Sequence, residues 1–301
     1  MNETIERLNK LKKERNAVIL AHIYQLSEIQ DIADFVGDSL DLSRKAAKTD
    51  ADVIVFCGVH FMAETAAILS PDKKVLIPDV QAGCPMADMI KPQGLLELKK
   101  QYDGAKAVAY VNTSAAVKAE SDICCTSSNA VDIVNSVGSE TIIFTPDRNL
   151  GNYVQKTSGR KMILWNGFCP THNNAIFPEN ILQLKNEHPE AEVLVHPECR
   201  PEVVDLADCA LSTGGMCRRV AQSQKREFII GTESGILYRL KKDNPDKTFY
   251  HASPFAVCPN MKKITLAKVL DVLANMKNIV TINEEIRERA YTPIKKMLDT
   301  A

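Results

Sequence analysis

The sequence predicts an α/β protein built from three homologous units with parallel sheets. Two observations carry this prediction. Short apolar runs typical of strands alternate with amphipathic stretches typical of helices along the whole chain of 301 residues. In addition, matching residues recur at intervals of 88 and then 86 positions. We therefore expect three three-layer αβα domains in a pseudo-threefold triangular arrangement around a common centre.

Nine apolar runs have the length of short strands, three to each unit. They cover residues 17–21, 53–56, 74–77, 107–110, 141–144, 161–164, 192–195, 228–230 and 248–251. The clearest amphipathic stretches between them cover residues 28–35, 40–48, 130–137 and 201–207. Strands separated by helices are typical of βαβ crossovers, which place the strands in parallel.

Four features share one repeat interval. They are the polar residue that ends the first strand, the Ser or Thr that opens a following helix, and the centres of the second and third strands. In the three units these positions are His22, Tyr110 and His196; Ser39, Ser127 and Thr213; Val55, Ile143 and Ile229; and Leu76, Leu164 and Tyr250. The implied domains are residues 1–83, 84–168 and 169–258, with a tail, 259–301, that packs back on the first unit.

Composition excludes several classes of protein. Lys and Arg number 37 against 38 Asp and Glu, and no basic stripe stands out, so we expect no nucleic-acid partner. The longest apolar run, residues 53–59, is far shorter than the roughly 18 residues that a membrane span needs. Residues 1–16 alternate charges at helical spacing and lack the apolar core of a signal peptide. We therefore expect a cytoplasmic protein with no membrane partner.

The nine cysteines are too few for a disulfide scaffold, and no pair has the C-x-x-C spacing of a zinc knuckle. Each unit nevertheless closes on the same dipeptide, at Cys84-Pro85, Cys169-Pro170 and Cys258-Pro259. Equivalent loops of three similar units meet near the pseudo-threefold axis, so we expect these thiols to face one centre. The remaining cysteines are interpreted as packing residues: Cys57, Cys124, Cys125, Cys199, Cys209 and Cys217.

Three thiolates without a fourth favour one kind of metal group. Soft thiolates select zinc or an iron–sulfur cluster. Structural zinc takes four protein ligands, and catalytic zinc usually includes a His. Three equivalent cysteines therefore match a [4Fe–4S] cluster with one open iron, which can act as a Lewis acid on a substrate oxygen.

Polar residues at strand ends and helix starts indicate an anionic substrate at the same centre. Segments 37–39, 126–128 and 212–215 resemble helix N-caps, whose free N–H groups suit carboxylates or a phosphate. The carboxyl ends of parallel strands are where α/β proteins bind ligands. His60, His188 and His251 are interpreted as structural. The candidate acid–base and binding groups are His22, Tyr24, Tyr110, Asn112, His172, His196 and Glu198.

Several segments together resemble the quinolinate synthase family, essentially from end to end of the chain. They lie at residues 21–25 (AHIYQ), 37–40 (GDSL), 57–64 (CGVHFMAE), 110–112 (YVN), 125–130 (CTSSNA), 146–151 (PDRNLG), 196–199 (HPEC) and 258–261 (CPNM). No one of these segments is specific by itself, but together they are.

The resemblance implies a reaction, a cofactor and a set of site residues. The reaction is condensation of iminoaspartate (iminosuccinate) with dihydroxyacetone phosphate to quinolinate, with release of phosphate and two waters, in NAD biosynthesis. Cys84, Cys169 and Cys258 would hold a [4Fe–4S] cluster. Tyr24 and Glu198 would transfer protons, with His22 as a third catalytic group. The substrates would be bound by His22, Ser39, Tyr110, Asn112, Ser127, His172 (near the phosphate), His196, Glu198 and Thr213. An L-aspartate oxidase or an aspartate dehydrogenase would supply the iminoaspartate.

Two positions depart from the family pattern, and two other functions stay open. Ile23 stands where a polar or aromatic residue is common. Gly214 stands where Ser is usual, so position 214 can contact a substrate only through its backbone. A hydro-lyase with an open-iron cluster would need no phosphate pocket. A non-enzymatic iron–sulfur sensor or ligand-binding module would carry an output element, and none is visible after Cys258.

Overall fold

Four parallel strands form the first sheet of the computed structural model, which describes residues 2–300. The strands are β1 (Ala17–His22), β2 (Phe35–Gly37), β3 (Val53–Cys57) and β4 (Lys74–Leu76). They pair in the order β2-β1-β3-β4, with His22 opposite Gly37 and Ala21 opposite Cys57. The helices of this part are α1 (Asn2–Glu14), α2 (Ser27–Ile32), α3 (Ser39–Lys48) and α4 (His60–Leu69).

The second sheet repeats the topology of the first. Its strands are β5 (Lys106–Tyr110), β6 (Ile123–Cys125), β7 (Ile142–Thr145) and β8 (Met162–Leu164), and they pair in the order β6-β5-β7-β8. The helices around it are α5 (Pro85–Asp88), α6 (Pro92–Gln101), α7 (Ala115–Ala119), α8 (Ala130–Ser136) and α9 (Arg148–Ser158).

The third sheet has the same topology again. Its strands are β9 (Glu192–Val195), β10 (Cys209–Ala210), β11 (Glu227–Gly231) and β12 (Thr248–His251), in the order β10-β9-β11-β12. Its helices are α10 (Pro170–Ala175), α11 (Pro178–Glu187), α12 (Pro201–Val204), α13 (Thr213–Gln222) and α14 (Ile236–Asp243). A 3₁₀ turn (Met261–Lys263), α15 (Leu266–Asn275) and α16 (Glu284–Asp299) follow.

The predicted fold class is confirmed, since all pairings within the three four-stranded sheets are parallel. Each of the nine predicted strands is present, with ends that differ by one residue at most. The prediction missed one edge strand in each sheet, β2, β6 and β10. These strands are only two or three residues long, too short to show a periodic pattern. The predicted helix 28–35 was wrong at its end, because α2 stops at Ile32 and Phe35 begins β2.

An aspartate fixes each short edge strand to the centre of its sheet. Asp34, Asp122 and Asp208 stand just before β2, β6 and β10, and they follow the same intervals of 88 and 86 residues. Each carboxylate accepts a backbone N–H of the neighbouring first strand, from Ile19 (2.7 Å), Ala107 (2.9 Å) and Val193 (2.8 Å). A buried N–H that would lack a partner at the strand start is thereby satisfied in all three units.

The tail packs on two units. Helix α15 contacts α1 and β3 of the first unit, whereas α16 contacts α7 and β6 of the second unit as well as α4 of the first. The contact of α16 with the second unit goes beyond the expected packing of the tail on the first unit, and the α16 side chains Ala290, Ile294 and Met297 are fully buried. The domain boundaries at residues 83, 168 and 258 stay a prediction.

The fold offers no candidate for a membrane span: among residues 2–300, no helix combines the length and the apolar character that crossing a bilayer requires. The nine cysteines are all free thiols.

The aspartates before the edge strands give a test of the sheet. The pKa of Asp122 is lowered: burial would raise it, but the Ala107 N–H and the ammonium groups of Lys99 and Lys106 outweigh burial. We expect Asp122→Asn to reduce the free energy of unfolding by about 1 kcal/mol at pH 7. Because the depressed pKa contributes stability only while the carboxylate is ionised, the difference should shrink as the pH falls below about 4. Urea unfolding at several pH values measures this, and Asp103→Asn at an exposed position is the control.

Candidate active site

One cavity of about 150 Å³ is lined by residues that follow strands of all three sheets. In each sheet the first and third strands are central neighbours whose connections run to opposite sides, which is where open α/β sheets leave a crevice. The cavity brings together every site candidate of the sequence: His22, Tyr24, Ser39, Cys84, Tyr110, Asn112, Ser127, Cys169, His172, His196, Glu198, Thr213 and Cys258.

Two histidines occupy equivalent places at the ends of β1 and β9 and are held in the same way. Nδ1 of His22 accepts the backbone N–H of Tyr24 (3.2 Å), and Nδ1 of His196 accepts that of Glu198 (3.3 Å). Since Nδ1 is the acceptor, the proton of the neutral ring lies on Nε2. In His196 this N–H is 3.2 Å from Oγ of Ser127.

Burial keeps both imidazoles neutral. It lowers the pKa of His22 to about 4 and that of His196 to about 3, although nearby carboxylates, Glu198 among them, act in the opposite direction. Near neutral pH both rings therefore act as neutral N–H donors toward the cavity.

Glu198 is the carboxylate around which the polar groups gather, and it is only 4% exposed. One oxygen, Oε1, accepts the phenol of Tyr110 (2.7 Å), and the other, Oε2, lies 2.8 Å from Nδ1 of His172. Burial would raise the pKa of Glu198, but the imidazoles of His196 and His172 and the Tyr110 hydroxyl lower it to about 2. The group is therefore an ionised acceptor.

A chain of hydrogen bonds runs from Tyr24 to Glu198. The Tyr24 hydroxyl lies 2.5 Å from Oγ1 of Thr232, which lies 2.8 Å from Nε2 of His172. Because the carboxylate of Glu198 can only accept, Nδ1 of His172 donates to it. In the neutral ring with this tautomer, Nε2 accepts from Thr232, whose oxygen in turn accepts the Tyr24 hydroxyl. The chain thus has one direction, from the phenol to the carboxylate, and all four side chains are buried.

Both cavity tyrosines are proton donors at neutral pH. Burial, with the charge of Glu198 in second place, raises the pKa of Tyr24 and of Tyr110 well above the ordinary value of a phenol. Tyr24 therefore enters the chain of hydrogen bonds with its proton in place.

The three predicted ligand cysteines line the cavity in equivalent loops after β4, β8 and β12. Each thiol receives a backbone N–H from the residue three positions on, at Ala87, His172 and Met261. Burial nevertheless raises the pKa of all three, that of Cys84 to about 12, and neighbouring thiols add to this effect for Cys84 and Cys169. Near neutral pH these sulfurs are therefore neutral thiols, and a metal group that binds them must displace their protons.

A tighter donor group lies within the same cavity. Ligand atoms of Cys169, His172 and Glu198 all lie within 4.8 Å of one another, and Sγ of Cys169 is 3.2 Å from Nδ1 of His172. Cys169 is thus common to this group and to the three equivalent cysteines, while His172 and Glu198 are already partners in the hydrogen-bond chain.

The other six cysteines are packing residues, but not all lie deep in the core. Cys57, Cys124, Cys125 and Cys199 are fully buried, as expected. Cys209 and Cys217 are only partly buried, because they lie on the short edge strand β10 and on the amphipathic helix α13.

The three helix starts meet, and the predicted segments contain the caps of α3 (Asp38) and α13 (Ser212), whereas the cap of α8 is Asn129, one residue beyond segment 126–128. Asp38 caps α3 with one carboxylate oxygen and accepts hydroxyls of Ser128 (2.7 Å) and Ser212 (3.3 Å) with the other. The N-terminus of α3 is thus partly neutralised by its own aspartate, and Ser127 lies in the turn before α8 rather than at its cap. Within residues 2–300, the backbone N–H groups of Ser39, Ser127 and Thr213 keep no acceptor.

The contact with Asp38 accounts for one departure from the family pattern. A Cβ at position 214 would lie 2.6 Å from Oδ2 of Asp38, the oxygen that holds the two serines. Gly214 leaves this carboxylate in place, whereas Ser would have to displace it. Ile23, the other departure, is buried in the core and does not line the cavity.

Sequence reasoning missed Thr232 and Asp38. Thr232 is fully buried and bridges Tyr24 and His172, and its backbone carbonyl is held by Nε2 of His251 (2.7 Å). Thr232 could have been predicted from its position in the repeat, because it directly follows β11, and the repeat interval gives the centre of that strand correctly. Asp38 lay inside a segment that was already singled out, but its side chain was not considered as a cap.

Fold and site together define an α/β enzyme whose reaction takes place on a small polar molecule enclosed among three homologous units. The chain matches the family model described as Quinolinate synthetase A protein over residues 6–299. A quinolinate synthase of Dehalococcoides mccartyi is 58% identical over 292 residues, 97% of this chain and 96% of the relative. That of Thermodesulfovibrio yellowstonii is 55% identical over 299 residues, 99% and 98% of the two chains. Quinolinate synthase 1 of Methanosarcina acetivorans is 53% identical over 296 residues, 98% and 97%. The chain belongs to the quinolinate synthase family.

The neutral histidines can be tested directly. We expect His22 and His196 to show the ¹⁵N shifts of a neutral ring with a protonated Nε2 at pH 6, where an ordinary histidine is largely charged. The measurement is ¹⁵N NMR of histidine-labelled holoprotein, with His22→Gln and His196→Gln to assign the two signals. Imidazolium shifts for either residue at pH 6 would contradict the assignment.

Proposed function

We propose that this protein condenses iminoaspartate (iminosuccinate) with dihydroxyacetone phosphate to form quinolinate, releasing phosphate and two waters, as a step of NAD biosynthesis. The observation that carries the proposal is the one-directional chain from Tyr24 through Thr232 and His172 to Glu198, which ends beside a candidate ligand, Cys169. Condensation with loss of two waters needs repeated proton transfers within one closed site, and this chain provides them.

Cys84, Cys169 and Cys258 fit a [4Fe–4S] cluster by the chemistry of their donors. They are three soft thiols in equivalent loops on one cavity, each accepting a backbone N–H as an ionised sulfur requires. When bound, such a cluster supplies an open iron that acts as a Lewis acid toward a substrate oxygen.

Neutral donors account for binding of the anionic substrates. No Lys or Arg among the described residues lines the cavity. The free N–H groups of Ser39, Ser127 and Thr213 are placed to receive carboxylate or phosphate oxygens, as N–H groups at helix starts commonly do. Oδ1 of Asn112 is buried without a protein partner, so it suits a substrate hydroxyl or imine N–H.

The proton steps use the ends of the hydrogen-bonded chain. The Tyr24 hydroxyl gives its proton to a substrate oxygen that leaves as water, while Glu198 accepts a proton removed from carbon or nitrogen. Return of a proton from Glu198 to Tyr24 needs the opposite orientation of the chain, with the His172 proton on Nε2 and the Thr232 hydroxyl turned toward Tyr24. A change of His172 tautomer and a rotation of the Thr232 hydroxyl therefore belong to each catalytic cycle. His22, as a neutral Nε2–H donor, orients the reacting oxygen.

The proposal also covers supply and compartment. Iminoaspartate comes from oxidation of aspartate, so an L-aspartate oxidase or an aspartate dehydrogenase would act upstream. Nine free thiols suit a reducing compartment, and we place the protein in the cytoplasm on that ground.

The ligand assignment predicts the iron content of variants. Anaerobically purified protein should hold about four irons per chain with broad visible absorption. Cys84→Ser, Cys169→Ser and Cys258→Ser should each lose the cluster, because a thiolate ligand is removed. Cys209→Ser on β10 is the matched control and should keep full iron. An empty site in Cys209→Ser together with a full site in Cys84→Ser would disprove the assignment.

The reaction is tested by mixing holoprotein with iminoaspartate and dihydroxyacetone phosphate and measuring quinolinate. Tyr24→Phe should keep the cluster but reduce quinolinate formation by about 100-fold or more, since the chain loses its first donor. Turnover like that of the wild type in this variant would remove Tyr24 from the mechanism. Dehydration of a hydroxy acid by the wild type without any quinolinate would instead indicate a hydro-lyase.

A further inference from the structure

Two fully buried acidic side chains occupy equivalent positions in the second and third units. Asp147 follows β7 and Glu233 follows β11, and they are separated by 86 residues, the interval of the repeat. Oδ2 of Asp147 accepts the backbone N–H of Cys169 (2.9 Å), and Oε1 of Glu233 accepts that of Cys258 (3.1 Å). Each carboxylate thus contacts the main chain of a cysteine that we assign as a cluster ligand.

Each carboxylate is itself held in place by its own loop. The second oxygen of Asp147 accepts the N–H of Leu150 (2.8 Å), which makes Asp147 the cap of α9. The second oxygen of Glu233 accepts the N–H of Gly235 (2.7 Å). The two side chains therefore link the loop after the third strand to the cysteine loop after the fourth strand.

Glu233 carries one further contact. Its Oε1 lies 2.9 Å from Nζ of Lys262, which also donates to the backbone carbonyl of Tyr24. Through Lys262, the carboxyl group of Glu233 that holds the Cys258 backbone is therefore linked to Tyr24 of the first unit as well.

The first unit lacks this device. The equivalent position is Val59, 88 residues before Asp147, and its side chain cannot accept a hydrogen bond. Among residues 2–300, no side chain accepts the N–H of Cys84. The Cys84 loop is instead held two residues before the cysteine, where the backbone carbonyl of Ala82 accepts the N–H of His60 (2.8 Å).

We infer that Asp147 and Glu233 are positioning residues that fix the backbones of two of the three cluster ligands, and that the Cys84 loop is the least restrained of the three. Partners that orient ligands in this way commonly matter for metal affinity nearly as much as the ligands do. The inference rests on the proposed cluster, but Asp147 does not line the cavity and its role is distinct from substrate binding.

The first test is iron release to a chelator from anaerobic holoprotein. Asp147→Ala and Glu233→Ala should lose iron about 10- to 100-fold faster than the wild type. Asp147→Asn and Glu233→Gln should release iron at a rate between those of the wild type and the Ala variants. The amide oxygen can accept the cysteine N–H, but the amide NH2 group then faces the N–H of Leu150 or of Gly235. Asp122→Ala and Asp208→Ala, which remove carboxylate-to-backbone contacts at the starts of β5 and β9, are matched controls with unchanged release. Equal release in all variants would overturn the inference.

The second test uses the wild-type protein alone, so its result does not depend on whether a variant folds. In wild-type protein, amide hydrogen exchange should be at least tenfold slower at Cys169 and Cys258 than at Cys84, since only the first two amides are bonded to a buried carboxylate. Equal exchange at all three would refute the anchoring. A wild type that holds no iron but shows this exchange pattern would refute the proposed cofactor and keep the anchors.

Discussion

The buried charge of Glu198 is the constraint on which the rest of the site depends. A carboxylate removed from water costs several kcal/mol unless it is fully hydrogen-bonded. Tyr110 of the second unit and His172 of the α10 segment supply those bonds, and Nδ2 of Asn149 holds the backbone carbonyl of Glu198 (3.0 Å). The second and third units must therefore come together in one arrangement before this charge can be accommodated, which ties assembly of the site to assembly of the fold.

Equivalent backbone positions recur in the three units, but the side chain at the end of the first strand differs between them. The position that ends the first strand carries His22, Tyr110 or His196, so that one place provides two neutral imidazoles and one phenol. The cysteine position, in contrast, is the same in all three units. A symmetric metal group needs the same ligand from each unit, whereas an asymmetric substrate needs different side chains around it. The repeat provides the first at the cysteine position and the second at the strand-end position.

Much of this could be predicted because it is local or periodic. Nine strands follow from apolar runs. The site candidates come from strand ends, helix starts, the repeated Cys-Pro dipeptide and the resemblance to the family, and all thirteen line the cavity. The edge strand β10 could not be predicted from two residues, and Thr232 could not be connected to Tyr24, because 208 residues separate them and only tertiary packing brings them together. The contacts of Asp38 with Ser128 and Ser212 likewise could not be predicted, because these serines come from the other two units.

The absence of Lys and Arg from the described cavity lining follows from the same buried carboxylate. An ammonium or guanidinium group near Glu198 would form a charge-assisted pair with it and replace Tyr110 or His172 as its partner. With His172 displaced in this way, the chain that begins at Tyr24 would no longer reach Glu198. Recognition of an anion through neutral N–H and hydroxyl donors avoids this competition, because such donors bind a carboxylate or phosphate without neutralising the base that the chemistry needs.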